Sequence, residues 1–378
     1  MRLEYPTPEV NAQSNREDPA DVARGLEKDD TRSPYERYRS RRKALSVTDL
    51  VSAVWCEQQF EYTLQQGFKT RTPQMKKGTD VHRVLEEQVH TVVEVRQVKT
   101  KEDKWGLKLF NMYQGLCTLE ETGLTRELPV FGFMDDIFVQ GVVDEITYVD
   151  PETRLAEISS PTTLKGEPRK RPMLDAAKVQ LEHSKNLLDT IPLVGNRTAY
   201  ISDTKTRASR SVPTASQSRA TALQLMLYRN LLLGMRNGDV DFAKFLDWFE
   251  LDGSQTFSDG FVAEIAGIEG SLSLEKLLEN NSLWGLWLLL QEKLAVSMDS
   301  LGTALGVSYR TQTDGALIRF TVMRHDAAQL NRHMESTMRW WNGNRGTVGV
   351  EIEEAWKCKP RNQVDGRRSS NRFDRSKL

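Results

Sequence analysis

The sequence predicts an α/β fold in which a core sheet is flanked by helices and a large portion of the chain is helical. Two runs rich in β-branched and aromatic residues, "LPVFGFM" and "DIFVQGVVDEITYVD", are broken by glycine and predict strands. A third run, "AYISD", predicts another strand further along the chain. Long stretches such as "VHRVLEEQVHTVVEV" have their apolar residues at helical spacing, so helices account for most of the remainder.

The composition narrows the class of protein. The 378 residues suffice for one large domain or two ordinary ones. The formal net charge is −1, so a nucleic-acid partner has to be argued from local basic patches. The apolar run "LWGLWLLL" at 283–290 is too short to cross a bilayer, so it predicts a core helix, and we expect no membrane partner. Three cysteines do not make a disulfide framework and fit a reducing compartment.

The N-terminal part of the chain changes character at about residue 44. Residues 1–43 have few apolar residues, scattered prolines and the basic run "RYRSRRK", which together predict a disordered segment. This segment has no apolar signal peptide and too many acidic residues for an ordinary mitochondrial import signal. From residue 44, "LSVTDLVSAVWCEQQFEYTL" predicts a helix that Ser46 or Thr48 can cap.

A single domain is predicted over residues 44–357. Residues 78–121 predict a long helix, which the first two strands follow. Residues 160–196 predict an insertion that begins with the basic stretch "KGEPRKRP" and continues as an amphipathic helix. The helix "SRATALQLMLYRNLLLGM" follows the third strand, and residues 239–345 are predicted to be mostly helical.

Charged residues at the end of the third strand indicate a site. Asp203 and Lys205 share one face of this strand because side chains alternate along it. Asp144, in "GVVDEI" on another strand, could face this pair. Two carboxylates and a backbone carbonyl make an oxygen-rich pocket that suits Mg²⁺, and a lysine beside it could orient or activate a water on the metal. The three residues would thus supply what the hydrolysis of a phosphodiester needs.

Each of these residues also has an ordinary structural explanation. An Asp-x-Lys sequence at a strand end is usually a solvated surface ion pair. Glu157 in "LAEISS" is a rival of Asp203, but Ser159 stands where a lysine would be needed, so we rank Asp203 higher. Glu145 should point away from Asp144, because neighbouring residues of a strand face opposite sides.

Six segments occur in an order that is specific, although each alone is weak. They are "SPYERYRSRRKALSVTDLVSAVWCE", "KKGTDVHRVLEEQVH", "TRELPVFG" with "GVVDEITY", "ISDTKTRASRSVP", "ALQLMLYRNLL", and "MRWWNG" with "VGVEIEEAWKC". Over about residues 34–358 they resemble the exonuclease V family, in the RecB-like branch of the PD-(D/E)XK nucleases. The resemblance implies a restriction-endonuclease-like core sheet flanked by helices.

The resemblance implies a catalytic set of Asp144, Asp203, Lys205, Gln224 and Tyr228. The two aspartates would hold the metal, and Lys205 completes the D-x-K segment. Gln224 and Tyr228 stand at i and i+4 on one helix, so their amide and hydroxyl could contact the phosphate or position Lys205. Alternatively, they are ordinary polar residues of a helix that faces a loop.

Three more residues could complete the site. The resemblance places His82 near the metal, and His82 and Glu86 lie at i and i+4 on one helix face. The alternative is that His82 is a partly buried helix histidine. Arg207 and Arg210 follow the D-x-K segment and could bind the DNA backbone, although a solvated loop explains them equally well.

The cysteines match only part of what the family requires. The resemblance implies a 4Fe-4S cluster held by one cysteine of the N-terminal helix and three near the C-terminus, and most clusters need four such ligands. Cys56 and Cys358 match two of these positions, whereas Cys117 is better explained as a small core residue. Residues 358–378 replace the expected cysteine-rich segment with an atypical tail, which we attribute to a shifted reading frame or a misplaced splice junction.

The sequence therefore predicts a Mg²⁺-dependent exonuclease that acts on single-stranded DNA. The resemblance favours the 5′ end, a monomer, and a role in replication, recombination or repair of DNA in mitochondria or, alternatively, in the nucleus. The competing hypothesis is a non-catalytic single-strand-binding relic. In that relic the basic runs 37–43 and 165–171 would bind the backbone, and Tyr35 and Tyr38 would stack on bases.

Overall fold

The computed structural model describes residues 2–4, 32–66, 73–159, 197–268 and 272–350. The helices of these residues are α1 (Pro34–Arg39), α2 (Val47–Ser52), α3 (Glu57–Gln66), α4 (Pro73–Glu87), α5 (Lys101–Thr122), α6 (Pro151–Ser159), α7 (Ala215–Asn237), α8 (Phe242–Phe249), α9 (Asp259–Ala266), α10 (Leu274–Glu279), α11 (Leu283–Ser297) and α12 (Ala327–Trp341). The strands are β1 (Arg2–Glu4), β2 (Leu45–Ser46), β3 (Val92–Glu94), β4 (Leu124–Met134), β5 (Ile137–Thr147), β6 (Thr198–Arg207), β7 (Ser300–Thr311) and β8 (Leu317–Arg324).

Six of the described strands form one mixed sheet. Its order is β2-β5-β6-β7-β8, and β4 also pairs with β5. The β4–β5, β5–β6 and β7–β8 pairs are antiparallel, whereas the β2–β5 and β6–β7 pairs are parallel. Strands β1 and β3 form a separate parallel pair. A mixed sheet with helices around it confirms the predicted α/β class and its large helical portion, and it is consistent with a nuclease-like core.

An aromatic cluster fixes α5 and α8 against the β4–β5 hairpin. Trp105 of α5 meets Phe245 of α8 edge to face, with ring centroids 4.8 Å apart. Phe245 stacks in turn on Phe131 of β4 at 5.4 Å. Edge-to-face and offset arrangements are the ones that aromatic quadrupoles favour, and such pairs stabilise beyond the area they bury. The cluster therefore holds one face of α5 in a fixed position over the hairpin.

The apolar run at 283–290 begins α11, as predicted for a core helix. Leu283, Leu286 and Leu290 are buried on the side of this helix that meets the core. Leu288 is 60% exposed on the opposite side, so the helix lies at the edge of the core. Within the described part of the chain, none of the helices combines the length and the apolar character of a membrane span.

One prediction of a long helical stretch was wrong, and a second was incomplete. Residues 78–121 are not one helix, because α4 ends at Glu87 and Thr100 begins α5 with a capping box to Asp103. The C-terminal part predicted to be mostly helical contains β7 and β8. Because β7 is buried along most of its length on both faces, it lacks the alternation by which half-buried strands are found.

The prediction of disorder over residues 1–43 was wrong for β1, which pairs with β3, and for α1. Ser33 and Glu36 form a capping box, and Pro34 occupies the first turn, where its missing N–H costs nothing. Tyr38 packs edge to face on Trp341 at 5.4 Å. Tyr35 and Tyr38 are both buried, which removes them as surfaces for base stacking. The insertion at 160–196, the basic run 165–171 and the tail 358–378 lie outside the described residues.

Burial of His90 is expected to make the fold acid-sensitive. His90 is 3% exposed, and its Nε2 lies 3.1 Å from the Arg126 carbonyl oxygen and 3.2 Å from the Arg126 backbone nitrogen. Burial lowers the pKa of His90 from 6.5 to about 4. The unfolded chain therefore binds more protons than the folded chain, so stability is complete above pH 6.5 and falls as the pH drops toward 4, by up to roughly 3 kcal/mol.

Urea unfolding of the wild type and of His90→Gln at pH 7.5, 6 and 5 measures this effect. Since glutamine does not titrate, the difference between the two free energies of unfolding should shrink as the pH falls. Parallel pH profiles of the two proteins would contradict the assignment.

Candidate active site

The site lies where β5 and β6 separate. The two strands pair only from Glu145 to Thr147 and from Tyr200 to Ser202. Asp144 and Asp203 are the next residues, one on each strand, just beyond the last paired position. There a side chain replaces the backbone partner that β5 would otherwise supply: Asp144 Oδ2 accepts the backbone N–H of Thr204 at 3.1 Å. The parting of the strands thus brings two carboxylates together from positions 59 residues apart in sequence.

The structure brings Lys205 to the same point. Its Nζ lies 2.8 Å from Asp203 Oδ2, and it donates a hydrogen bond to Gln224 Oε1 at 3.0 Å. Asp203 is 2% exposed, so its carboxylate is removed from water. A buried carboxylate is costly unless a cation or a ligand compensates its charge, and here the Lys205 ammonium does so.

The two carboxyl groups divide their protons unequally. Burial and the neighbouring charge of Asp203 raise the pKa of Asp144 well above its ordinary value. Burial also acts to raise the pKa of Asp203, but the Lys205 ammonium outweighs it, so the pKa of Asp203 is lowered. A proton bound by the pair therefore resides preferentially on Asp144, and Asp203 is the carboxyl group that ionises first. A bound cation could replace that proton.

Helix α7 supplies Gln224 and Tyr228 to the same face of the sheet. Gln224 accepts from Lys205 and donates its Nε2–H to the Tyr228 hydroxyl at 3.0 Å, so the three side chains form a chain of hydrogen bonds. Gly141 of β5 makes room for the Tyr228 ring, because a Cβ there would lie 2.5 Å from Tyr228 Cε1. Burial raises the pKa of Tyr228 to about 12, so the hydroxyl stays protonated at neutral pH. These contacts favour the interpretation that Gln224 positions Lys205 over the alternative that it is an ordinary polar residue of a helix.

Helix α4 and strand β4 add an imidazole and a third carboxylate. His82 Nδ1 lies 3.4 Å from Asp144 Oδ2 and 3.7 Å from Glu127 Oε1. One ligand atom each from His82, Glu127 and Asp144 lies within 4.8 Å of the others. Gly78 lets α4 approach β6, since a Cβ there would come within 3.0 Å of Thr206 Oγ1. His82 is thereby placed at the carboxylates and is not merely a partly buried helix residue.

Glu127 was missed by the sequence predictions. It faces Asp144 across the hairpin, between the pairs Arg126–Glu145 and Leu128–Val143. Its backbone has φ 52°, a left-handed conformation that a non-glycine residue adopts only at a cost of about 1–3 kcal/mol and that clusters at functional sites. The sequence does contain a signal for Glu127. The two-residue turn Asp135-Asp136 sets the register of the β4–β5 hairpin, and this register places Glu127 opposite Asp144.

The donor set fits a hard divalent cation. Two carboxylates and one imidazole converge within the described residues, and the buried carboxylate of Asp203 lies beside Asp144. Mg²⁺ takes one or two carboxylates and keeps several waters, so a complete protein cage is unnecessary. The predicted metal ligands were His82, Asp144 and Asp203. In the structure Glu127 takes the place of Asp203 in the closest group of three, because Asp203 pairs with Lys205.

The remaining predicted site residues are placed as follows. Glu145 points to the opposite face of the sheet, where it pairs with Arg126 and Arg154, as expected for a neighbour of Asp144. Glu157 is exposed on α6 and is not a member of the metal-binding group, so it is no rival of Asp203. Arg207 ends β6 on the face of Asp203 and Lys205, and Arg210 is exposed in the loop beyond it. Their contact with DNA stays a prediction.

The cysteines do not provide a cluster site. Cys56 is buried just before α3, and the C-terminal part of the described chain returns to it, since Glu57 Oε2 accepts the backbone N–H of Val348 at 2.8 Å. Cys358 lies outside the described residues. Cys117 is on α5, where its thiol faces Lys293. Three cysteines cannot supply four thiolates, so the residues present do not fit the 4Fe-4S cluster that the family resemblance implies.

Comparisons with known proteins identify the family to which the chain is similar. A family model described as "Exonuclease V - a 5' deoxyribonuclease" matches residues 33–362. The chain is 27% identical to Exonuclease V of Danio rerio over 350 residues, which cover 90% of this chain and 74% of that protein. It is 25% identical to "Exonuclease V, mitochondrial" of Clavispora lusitaniae over 229 residues, 50% of this chain and 44% of the relative. The protein of the same name from Candida glabrata is 26% identical over 216 residues, 50% of this chain and 42% of the relative.

Proposed function

The chain belongs to the exonuclease V family, and on that premise we propose that it is a Mg²⁺-dependent exonuclease that hydrolyses single-stranded DNA from its 5′ end. The observation that carries this proposal is the convergence of His82, Glu127 and Asp144 beside the Asp203–Lys205 pair. Oxygen and imidazole ligands next to a lysine are suited to metal-assisted hydrolysis of a phosphodiester. The description of the family supports DNA as the substrate and the 5′ end as the starting point.

The metal would be held by His82, Glu127 and Asp144, with Asp203 beside them. When bound, Mg²⁺ would act as a Lewis acid and offset the negative charge that develops on the phosphoryl oxygens. The protein residues around it are arranged to receive an anion, since Lys205 and Arg207 lie on the same strand face as Asp203. The proposed roles of Lys205 and Arg207 require the substrate phosphate to lie on this face of the sheet.

Lys205 would serve as a fixed positive charge. Burial acts to lower the pKa of its ammonium, but Asp203 and Asp144 outweigh it, so the pKa of Lys205 is raised. A lysine that stays protonated donates hydrogen bonds and cannot accept the proton of the attacking water. Lys205 would therefore orient the water or stabilise the phosphate, and Gln224 would hold its Nζ in place. Tyr228 accepts a hydrogen bond from Gln224, which leaves its O–H proton able to bind a phosphate oxygen.

The names of two relatives support a proposal for the compartment. The names of the Clavispora lusitaniae and Candida glabrata proteins include "mitochondrial", which supports mitochondria over the alternative of the nucleus. A 5′ exonuclease on single strands would act in replication, recombination or repair of the DNA there. We propose that the protein does this as a monomer.

End-labelled oligonucleotides test the proposed function. The full chain is incubated with a single strand labelled at the 5′ or the 3′ end, with Mg²⁺ or with EDTA, and with a circular single strand as a substrate without ends. We expect short labelled products first from the 5′ label, and cleavage neither in EDTA nor of the circle. Cleavage that persists in EDTA, or cutting of the circle, would contradict a metal-dependent exonuclease.

The mismatch between the cysteines and the family's cluster supports a second candidate, a single-strand-binding relic. The catalytic residues are present, but four thiolates are not available from this sequence. Salt-dependent binding of the single strand with no Mg²⁺-dependent turnover would favour the relic.

A further inference from the structure

A cleft of about 1110 Å³ extends from the site along the catalytic face of the hairpin. Glu127, Gly141 and Tyr228 belong both to the site and to the lining of this cleft. Its floor continues with the cross-strand pair Pro129–Val142, which stands on the same strand faces as Glu127 and Asp144. The cleft therefore reaches the site at Glu127, one of the three candidate metal ligands.

One wall of the cleft is a row of lysines on α5. The residues of this helix are mostly buried, but Lys101, Lys104 and Lys108 are exposed and line the cleft. Their spacing of i, i+3 and i+7 places them on one side of the helix, over a length of about 10 Å. This length corresponds to roughly three phosphate spacings of a stacked strand.

The positive charge of this wall is not neutralised. No carboxylate of the described residues forms an ion pair with Lys104 or Lys108, and Lys108 Nζ lies 3.8 Å over the Trp105 ring. At the far end, Lys101 donates to the backbone carbonyl of Glu250, whose side chain pairs with Lys43. Among the described lining residues the one acidic side chain is Glu127, the candidate metal ligand. A chain with a net charge of −1 thus concentrates cations in the groove that leads to its site.

The floor is apolar where the wall is basic. Val142 is 40% exposed, although it lies in the middle of β5. Single strands bind in grooves that offer cations to the phosphates and apolar surface to the bases. In this cleft the lysines of α5 offer the cations, and Pro129 and Val142 offer the apolar surface.

We propose that this cleft holds the DNA single strand next to the scissile phosphodiester, with Lys104 and Lys108 binding its phosphates. The inference rests on the proposed nuclease function and adds to it the path of the strand. Because Glu127 and Tyr228 line the cleft and also belong to the site, a strand lying in the cleft would bring a phosphate next to the candidate metal ligands.

The double variant Lys104→Ala/Lys108→Ala tests this path, with Lys276→Ala as the matched control. Lys276 is also exposed and lies 5.9 Å from an aromatic ring, that of Tyr113, but it does not line the cleft. Binding of a labelled single strand is measured in EDTA at several salt concentrations. We expect roughly tenfold weaker binding and a slope of log K against log[salt] that is smaller by about 1.4 for two lost phosphate contacts. The control should match the wild type.

Cleavage in Mg²⁺ separates the path from the chemistry. On an oligonucleotide, the double variant should have a higher KM than the wild type and a nearly unchanged kcat. The small substrate bis(p-nitrophenyl) phosphate does not need the cleft, so the double variant should cleave it at the wild-type rate. Wild-type affinity and salt slope in the double variant would overturn the proposed path. A wild-type protein that cleaves neither substrate would overturn the nuclease function, and the binding measurements would still decide the cleft.

Discussion

Replacement of Lys205 by alanine is expected to lower the rate of DNA cleavage by roughly 10³-fold, because the site loses the positive charge that would lie at the phosphate. In the structure this ammonium stands 2.8 Å from Asp203 Oδ2 and 3.0 Å from Gln224 Oε1. Single-strand affinity should stay within a few-fold of the wild type, since the cleft lysines bind independently of Lys205. Cleavage and binding are measured on the same labelled oligonucleotide.

Two controls separate the role of Lys205 from effects on folding. Lys205→Ala leaves Asp144 and Asp203 buried together without a cation, so its melting temperature is compared with and without Mg²⁺. Lys205→Arg keeps the charge but replaces a compact ammonium by a planar group, and it should recover only part of the rate. An alanine variant that is folded and cleaves as fast as the wild type would refute the role.

The Asp144→Asn substitution is expected to have the second large effect. It removes one carboxylate of the candidate metal group and leaves the amide to accept the Thr204 N–H. Losing roughly 4 kcal/mol of transition-state stabilisation lowers the rate about 10³-fold. Mg²⁺ should raise the melting temperature of the wild type, because a ligand of the folded state stabilises it, and should do so much less for the variant.

The rival acid provides the matched control for Asp144. Glu157→Gln removes an exposed carboxylate on α6 and should retain wild-type activity and the wild-type response to Mg²⁺. Glu127→Gln should lie between the two, with a higher Mg²⁺ concentration needed for half-maximal rate. If Asp144→Asn keeps full activity while Glu157→Gln loses it, the metal site has been assigned to the wrong carboxylates.

Relations between residues close in sequence were predictable. Asp203 and Lys205 share a strand face, and Gln224 and Tyr228 share a helix face, because strand and helix geometry fix such neighbours covalently. The opposite direction of Glu145 followed from the same alternation. The capping boxes of α1 and α5 also depend on residues only three apart, and their signals were present but not used.

Relations between distant residues depended on the tertiary structure. Glu127 belongs to the site because the register of the hairpin places it opposite Asp144. Strand β7 was not predicted, because both of its faces are buried along most of its length. The order of α1 depends on Trp341, about 300 residues away.

By itself, the sequence of this protein determined the residue types of its site and the pairs that stand within one turn or one strand. The tertiary structure alone decided that β5 and β6 part at Asp144, that Glu127 completes the group, and that three lysines of a mostly buried helix face the resulting cleft. The physical reason is that local geometry is set by backbone periodicity. Register and the placement of helices are set instead by burial of apolar surface contributed from the whole chain.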